Sequence, residues 1–376
     1  MFIKGVGMTR FSIDEAASSH LVHEAVMEAL DDSSLSMNEI DAVVVSNNDI
    51  ISNGERQRHS SSMLSSLFQK KMPILSVPAG CSGGGTALWT ATQIHKTSNY
   101  KNILVVSFEK MVTNIGKRIT DEMLMGTERI YEQSEGMNFP AENALVAQQY
   151  MIKHNVTMDD LALVAFKNHN NAYMNPKARF YRKNVTLEEI KKSPVVASPL
   201  RLFDCSIPAN GAATAVISKN ESDIKIIGAA DETDFLAPFE RDDLTSWHAS
   251  RASAAEAYKQ AGISPSDIDI AELHDAFTSV ELISYEDLGF CKPGEAKNLI
   301  REGFTNINGK LPVNTSGGLK AKGHPISATG LSQIYELAKQ MRGLAGERQI
   351  GNIKYGLAQN IGGAGSSVTV HILEKC

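Results

Sequence analysis

In the stretch PAGCSGGGTALWTA (78–91) one cysteine stands between a Pro-Ala-Gly approach and three glycines, at the point where a helix should begin. A lone cysteine is ordinarily a small hydrophobe. Cys81 has a different setting. A thiol at a helix N-terminus meets the positive end of the peptide dipoles and unpaired backbone N–H groups, both of which favour thiolate. Gly83, Gly84 and Gly85 leave a substrate room to lie against the backbone. His324, in NTSGGLKAKGHPISATG (314–330), offers a base, since imidazole is the usual activator of cysteine at neutral pH. Taken alone, such a histidine would read as packed or capping. ELHDAFTS adds His274 at the end of an apolar strand, where an exposed strand-end residue is the open alternative. AQNIGGAGSS adds glycines whose N–H groups could form an oxyanion hole.

Cys81 and His324 lie far apart in sequence, and an internal repeat relates them. HLVHEAVMEALDDSSLSMNEIDAVVVSNND (20–49) and SRASAAEAYKQAGISPSDIDIAELHDAFTS (250–279) share a helix-like run, a polar turn, a capping serine before an Ile-Asp pair and a strand-like apolar run. CSGGGTALWTATQIHK and HPISATGLSQIYELAK form a second pair. Thr86 and Leu88 follow Cys81 at the offsets at which Thr329 and Leu331 follow His324. KNILVVSFEKM and GNIKYGLAQNIGG form a third, strand-like pair. Cys81 and His324 thus occupy equivalent positions in two halves, and equivalent helix starts in a pseudo-twofold pair of βαβ units converge at the dyad. Alternating strands and helices predict parallel βαβ units with central sheets covered by helices.

The 376 residues suit two domain-sized halves plus an insertion. Hydrophobic residues at 42% and charged residues at 21% match a soluble folded chain rather than a disordered or fibrous one. A net charge of -6 disfavours nucleic acid as the main partner. MFIKGVGMTRF lacks a signal-peptide pattern and no apolar run is long enough to span a bilayer, so no membrane association and a cytoplasmic location are expected. Cys81, Cys205, Cys291 and Cys376 show no metal-ligand spacing, so no metal site is expected.

The repeat is interrupted from about 111 to 199. Within the insertion, NNAYMNPKARFYRKNVTLEEIKKSP interleaves Tyr173, Phe180 and Tyr181 with Lys177, Arg179, Arg182 and Lys183. Two readings stand: a solvated face, or a cradle for a phosphorylated nucleotide. The expected organisation is an N-terminal half of residues 1–110 plus 200–220, a loop domain over 111–199, and a C-terminal half over 221–376.

These motifs resemble the thiolases, especially the sterol-carrier-protein type and its archaeal relatives. The likeness runs through SFEKM, NPKARF, LEEIKKSPVVASPLRL, ELHDAF, YEDLGFC, SGGLKAKGHPISATG and QNIGGAG, and the Gly-His-Pro block is its most specific part. The resemblance implies an α/β thiolase fold, five-layered α-β-α-β-α, from two duplicated βαβ-rich halves with an inserted loop domain. It implies coenzyme A thioesters as substrates, with CoA a substrate and no tightly bound cofactor. Cys81 would be the acylated nucleophile and His324 its activator. His274 would help His324 polarise a thioester oxygen. The N–H groups of Cys81 and Gly362 would form a second oxyanion hole. Lys177, Arg179 and Ser206 fall where the family holds the nucleotide and pantetheine arm, while Cys205, Cys291 and Cys376 match no catalytic position. A homodimer or homotetramer, with a small zinc-ribbon and OB-fold partner protein, is also implied.

One departure bears on the reaction. Thiolases use a second cysteine as acid/base, in Cys-x-Gly near the C-terminus or, in the sterol-carrier type, in His-Asp-Cys-Phe. Asn360 and Ala276 stand at those two positions. A positioned acid/base is worth about 100- to 10,000-fold in rate. The expected function is acetyl-CoA C-acyltransfer on acetoacetyl-CoA or another short 3-oxoacyl-CoA, by a ping-pong route through acyl-Cys81. The alternatives are a lyase or other acyl transferase on the same fold, and a non-catalytic acyl-CoA-binding scaffold.

Overall fold

The computed structural model describes residues 1–48, 50, 53–112 and 123–376. The first half runs through β1 (Phe2–Met8), α1 (Ser18–Ser33), β2 (Ala42–Ser46), α2 (Ser60–Phe68), β3 (Ile74–Ser76), α3 (Gly83–Thr97) and β4 (Asn102–Lys110). The insertion then carries α4 (Phe139–His154), α5 (Met158–Tyr173), α6 (Leu187–Lys192) and the short pair β5 (Val195–Ala197) and β6 (Leu200–Arg201). β7 (Asn210–Ser218) completes the first half. The second half follows as β8 (Ile224–Thr233), α7 (His248–Ala261), β9 (Ile270–Glu272), α8 (Thr278–Asp287), α9 (Ala296–Arg301), α10 (Ala328–Met341), β10 (Tyr355–Gly362) and β11 (Ser367–Lys375).

The internal repeat is visible as matched parts. The Ser36 and Ser264 turns, both closed by capping boxes with Glu39 and Asp267, lead from α1 into β2 and from α7 into β9. The strands run in the order β3-β2-β4-β7-β1-β8-β11-β10-β9, with the halves joined between β1 and β8 by the single pair Phe2–Lys225. Each half is therefore a sheet of its own. Parallel pairing is confined to β3-β2-β4 and β9-β10, and the remaining strands pair antiparallel. The expectation of parallel sheets holds only there, because each half ends by returning a strand through a hairpin or the long insertion rather than through a crossover helix.

Alternation along the strands assigns the layers. On β4, Ile103 and Val105 point to a cluster shared with Ala87, Leu88 and Ala91 of α3 and Leu331 and Ile334 of α10. Leu104, Val106 and Phe108 point the other way, to Leu21, Val22, Ala25 and Val26 of α1. In the second half Val368, Val370 and Ile372 of β11 face Ala254 and Ala257 of α7. α3 and α10 each touch strands of both sheets, so they form the central layer between them. The five layers are α1 with α2, the first sheet, α3 with α10, the second sheet, and α7 with α8. The β5-β6 ladder pairs Val195 with Arg201 and Ala197 with Leu200, across the boundary expected between 199 and 200. No described helix is long and apolar enough to cross a membrane.

The two central helices meet backbone to backbone. A Cβ on Gly84 would lie 2.6 Å from the Ser327 carbonyl oxygen, and one on Gly330 would lie 2.3 Å from both the Gly85 nitrogen and Asn360 Oδ1. Neither neighbour can yield, since backbone lies on both sides of the crossing. Gly330→Ala is expected to cost about 1–3 kcal/mol, as overpacking of a rigid core does. Urea-unfolding midpoints check this, and an unchanged midpoint would show that the helices do not cross here.

Candidate active site

Cys81 sits in the 3₁₀ turn Gly80–Ser82 that feeds directly into α3. Two side chains hold this turn. Asn48, at the end of β2, accepts from Gly80 N at 3.1 Å, donates to Gly80 O at 3.2 Å, and lies 2.6 Å from Ser327 Oγ at the start of α10. Asn360, on β10, donates from Nδ2 to the Cys81 carbonyl at 2.9 Å and accepts from Gly85 N at 3.1 Å. The two helix starts are thereby tied together, and Glu109 of β4 accepts from Ser327 N at 3.2 Å at the same place.

His324 precedes α10 on a loop that follows a π-helical turn, Gly318–Lys322. A buried polar frame fixes that loop. α5 and the turn after it donate along it: Lys167 Nζ to Val313 O at 2.8 Å and Asn171 Nδ2 to Asn314 O at 2.9 Å from the helix, and Asn175 Nδ2 to Ser316 O at 2.8 Å from just beyond its end. Asp275 accepts from Leu319 N at 2.6 Å and from Asn168 Nδ2 at 2.7 Å, joining the His274 segment to both. Glu272 accepts from Ser316 N at 3.0 Å, and Lys322 Nζ lies 3.8 Å from it. These charges are costly to bury; the carboxylates of Asp275 and Glu272 are compensated by several hydrogen bonds, and Lys322 by the nearby Glu272 carboxylate. His324 N bonds Ile207 O at 2.8 Å, and its Nδ1 is 2.7 Å from Thr329 Oγ1.

The rings of His274 and His324 meet edge to face with centroids 5.3 Å apart. Both are buried. Burial pushes His324 down to about 4. Burial, and then the neighbouring His324, hold His274 well below the ordinary imidazole range. Both rings are therefore neutral near pH 7. Together with Cys81 they line a cavity of about 210 Å³ whose walls include Phe139, Trp247, Phe277, Val280, Ile326 and Ile361. A more polar cleft of about 520 Å³ also reaches Cys81, past Asn48, Gly362, Gly363 and Ser367. At Gly362 a Cβ would sit 2.4 Å from Ser367 Oγ and 2.9 Å from Ser82 Oγ, so only glycine lets this backbone approach the Cys81 turn. The arrangement combines a thiol at a helix start, two neutral imidazoles and a glycine backbone, the parts needed for nucleophilic acyl transfer.

Cys81, His324, His274 and Gly362 thus converge. Ser206 also lines the cavity and donates its N–H to Ala276 O at 2.7 Å. Lys177 and Arg179 do not line the described cavities. Lys177 pairs with Glu28 of α1 at 3.0 Å, and Arg179 donates to Pro208 O at 2.5 Å, so both fasten the insertion to the halves. Arg182 is likewise committed, to Glu347 and to the rings of Tyr173 and Tyr181. Cys205, assigned no catalytic position from the sequence, does line the cavity, with its thiol pushed up to about 11 by burial. Cys291 and Cys376 do not line it. Among the described residues no cluster of three His, Cys, Asp or Glu is placed to hold a metal. Sequence reasoning missed Asn48, Asn360 as a structural tie, and the α5 row. The i, i+3 and i+4 spacing of Lys167, Asn168 and Asn171 on one helix face was the available signal for the last.

Comparison with known proteins agrees with this geometry. Residues 3–223 match the family model described as thiolase, N-terminal domain, and residues 230–375 match that described as thiolase C-terminal domain-like. The acetyl-CoA acetyltransferase of Methanothermobacter thermautotrophicus is 34% identical over 382 residues, covering 99% of this chain and 98% of that protein. Sterol carrier protein 2 of Bos taurus is 31% identical over 390 residues, covering 98% of this chain and 71% of that protein. The solved structure of the Ltp2-ChsH2(DUF35) aldolase superposes with a TM-score of 0.83 at 26% identity, covering 100% of this chain and 97% of that one. The chain belongs to the thiolase family.

A base whose pKa is lowered keeps its lone pair down to more acidic pH. If His324 activates Cys81, the acid limb of the rate of Cys81 acylation should lie near 4 rather than near the ordinary imidazole value of about 6.5. Stopped-flow acylation rates across pH, with circular dichroism to confirm folding, check this. An acid limb between about 6 and 7 would count against it.

Proposed function

We propose that this thiolase is an acetyl-CoA C-acyltransferase acting on acetoacetyl-CoA or another short 3-oxoacyl-CoA. The observation that carries the reading is the convergence of Cys81, His274 and His324 on one cavity walled mainly by apolar side chains. The archaeal acetyl-CoA acetyltransferases at 34% identity support it. In the cleavage direction Cys81 Sγ attacks the 3-oxo carbon while His324 takes the thiol proton. The oxyanion is stabilised by the N–H groups of Cys81 and Gly362. Collapse breaks the C2–C3 bond, leaving acyl-Cys81 and the enolate of acetyl-CoA, whose thioester oxygen is held by the histidine N–H groups. Free CoA, giving its thiol proton to His324, then attacks the acyl carbon; the bond to Cys81 Sγ breaks, acyl-CoA leaves and His324 returns the proton to Cys81.

With Ala276 and Asn360 in place of a second cysteine, the enolate carbon needs another proton source. The proton His324 has just received can serve. Burial that lowers its pKa to about 4 also makes the imidazolium a strong acid, so it gives the proton up readily. On this reading one imidazole carries the proton from sulfur to carbon, and CoA is a substrate with no resident cofactor required. A homodimer or homotetramer belongs to the same proposal. Its support is β3, at the open end of the first sheet with Leu75 half exposed. A small zinc-ribbon and OB-fold partner is proposed too, supported by the related aldolase, whose name joins Ltp2 to ChsH2(DUF35).

That aldolase also favours a second reading, retro-aldol cleavage of a 3-hydroxyacyl-CoA on the same fold. Steady-state thiolysis of acetoacetyl-CoA by the purified chain, beside Cys81→Ala, separates the two. Turnover is expected in the wild type and none above background in the variant. Absence of thiolysis in a folded sample, with cleavage of a 3-hydroxyacyl-CoA that survives Cys81→Ala, would overturn the acyltransferase reading.

A further inference from the structure

Asn360 does more than fill the place of a missing cysteine. Its side chain is buried and makes three polar contacts in the centre of the site. Two of them fix which way the amide points. Gly85 N–H can only donate, so the atom 3.1 Å from it is the amide oxygen. The Cys81 carbonyl can only accept, so the atom 2.9 Å from it is the amide nitrogen. The third contact, 3.1 Å, runs from that same Nδ2 to His274 Nδ1. An amide nitrogen has no lone pair to offer, so Nδ1 of His274 must be the acceptor. In a neutral imidazole whose Nδ1 accepts, the single proton is on Nε2.

The geometry points to Asn360 as a positioning residue that locks His274 in the Nε2–H tautomer. His274 then acts only as a donor and never as a base. His324 is not constrained in this way. Its Nδ1 faces the Thr329 hydroxyl, which can donate or accept, so this ring is able to take up and release a proton at Nε2. The two imidazoles, 5.3 Å apart, are given different tasks by their partners: an amide of fixed polarity for one and a rotatable hydroxyl for the other. Because Asn360 grips the Cys81 carbonyl with the same NH₂ group, the donor and the nucleophile are set by one side chain. Only the kinetic arm of the test below rests on the acyltransferase reading.

The test is the ¹⁵N NMR spectrum of histidine-labelled protein without substrate, with His274→Gln used to identify the His274 signals among those of the ten histidines. In the wild type, His274 is expected as a neutral ring with protonated Nε2 and a lone pair on Nδ1. Asn360→Asp replaces the donor by an acceptor and should move the proton onto Nδ1, shifting that resonance from the unprotonated to the protonated type. Asn360→Leu, which removes the lock, should lower kcat for thiolysis about 100-fold with little change in KM, in line with loss of an aligned donor or a misplaced tautomer. A wild-type spectrum with the proton on Nδ1 overturns the assignment, as does an Asn360→Asp spectrum with Nδ1 still unprotonated. Wild-type kcat in Asn360→Leu overturns the positioning role. Should the leucine variant fail to fold, the two spectra still decide. A wild type with the expected tautomer but no thiolysis would count against the acyltransferase reading and leave this inference intact.

Discussion

The site depends on the close approach of two helix starts. α3 and α10 approach backbone to backbone at Gly84 and Gly330, with the Asn360 amide oxygen seated beside the crossing, and this brings the turn carrying Cys81 next to the loop carrying His324. The sheets on either side exist to clamp that crossing: each presents one apolar face to the helix pair and the other to an outer helix. Both helices also aim their N-termini toward the site, where their dipoles favour negative charge. Backbone dipoles thus supply positive potential beside the Cys81 turn, while the buried imidazoles stay neutral.

The basic and aromatic residues of the insertion are tied into the fold: Lys177 pairs with Glu28, Arg179 donates to the Pro208 carbonyl and Arg182 pairs with Glu347. Toward the site the insertion presents the polar face of α5, with Asn175 just beyond it, and these side chains hydrogen-bond the loop leading to His324 from Val313 to Ser316. That loop has no regular ladder of its own beyond a π-helical turn, so side-chain amides supply the partners its backbone needs. A ring placed by such a frame can be held in a fixed direction without being part of a strand or helix.

Much of this was legible in the chain. The repeat of helix, capped turn and strand, with Cys81 and His324 at matching offsets, predicted the two halves and the convergence of the pair. His274 and the glycine turn were found because each ends a strand that the repeat had already placed. What escaped was polar and long-range. Asn48 carries no motif, and Asn360 is marked only by standing where a second cysteine would be; folding sets them against Gly80, Ser327 and His274, and no periodicity marks such contacts. Strand direction was misjudged where a hairpin or the insertion, rather than a helix, returns the chain. Cys205 carried no motif, and only the antiparallel bridge it makes with Phe277 brings it to the cavity wall.

The pseudo-twofold arrangement has a consequence for how such a site could arise. If either half paired with an identical copy about the same axis, symmetry would put the same residue on both sides of the dyad: two thiols from one kind of half, two imidazoles from the other. Neither pair is a nucleophile with its base. The two equivalent positions can differ only when unlike halves are paired, and joining the halves end to end guarantees that pairing, so chemical asymmetry is built into a pair of structurally equivalent positions.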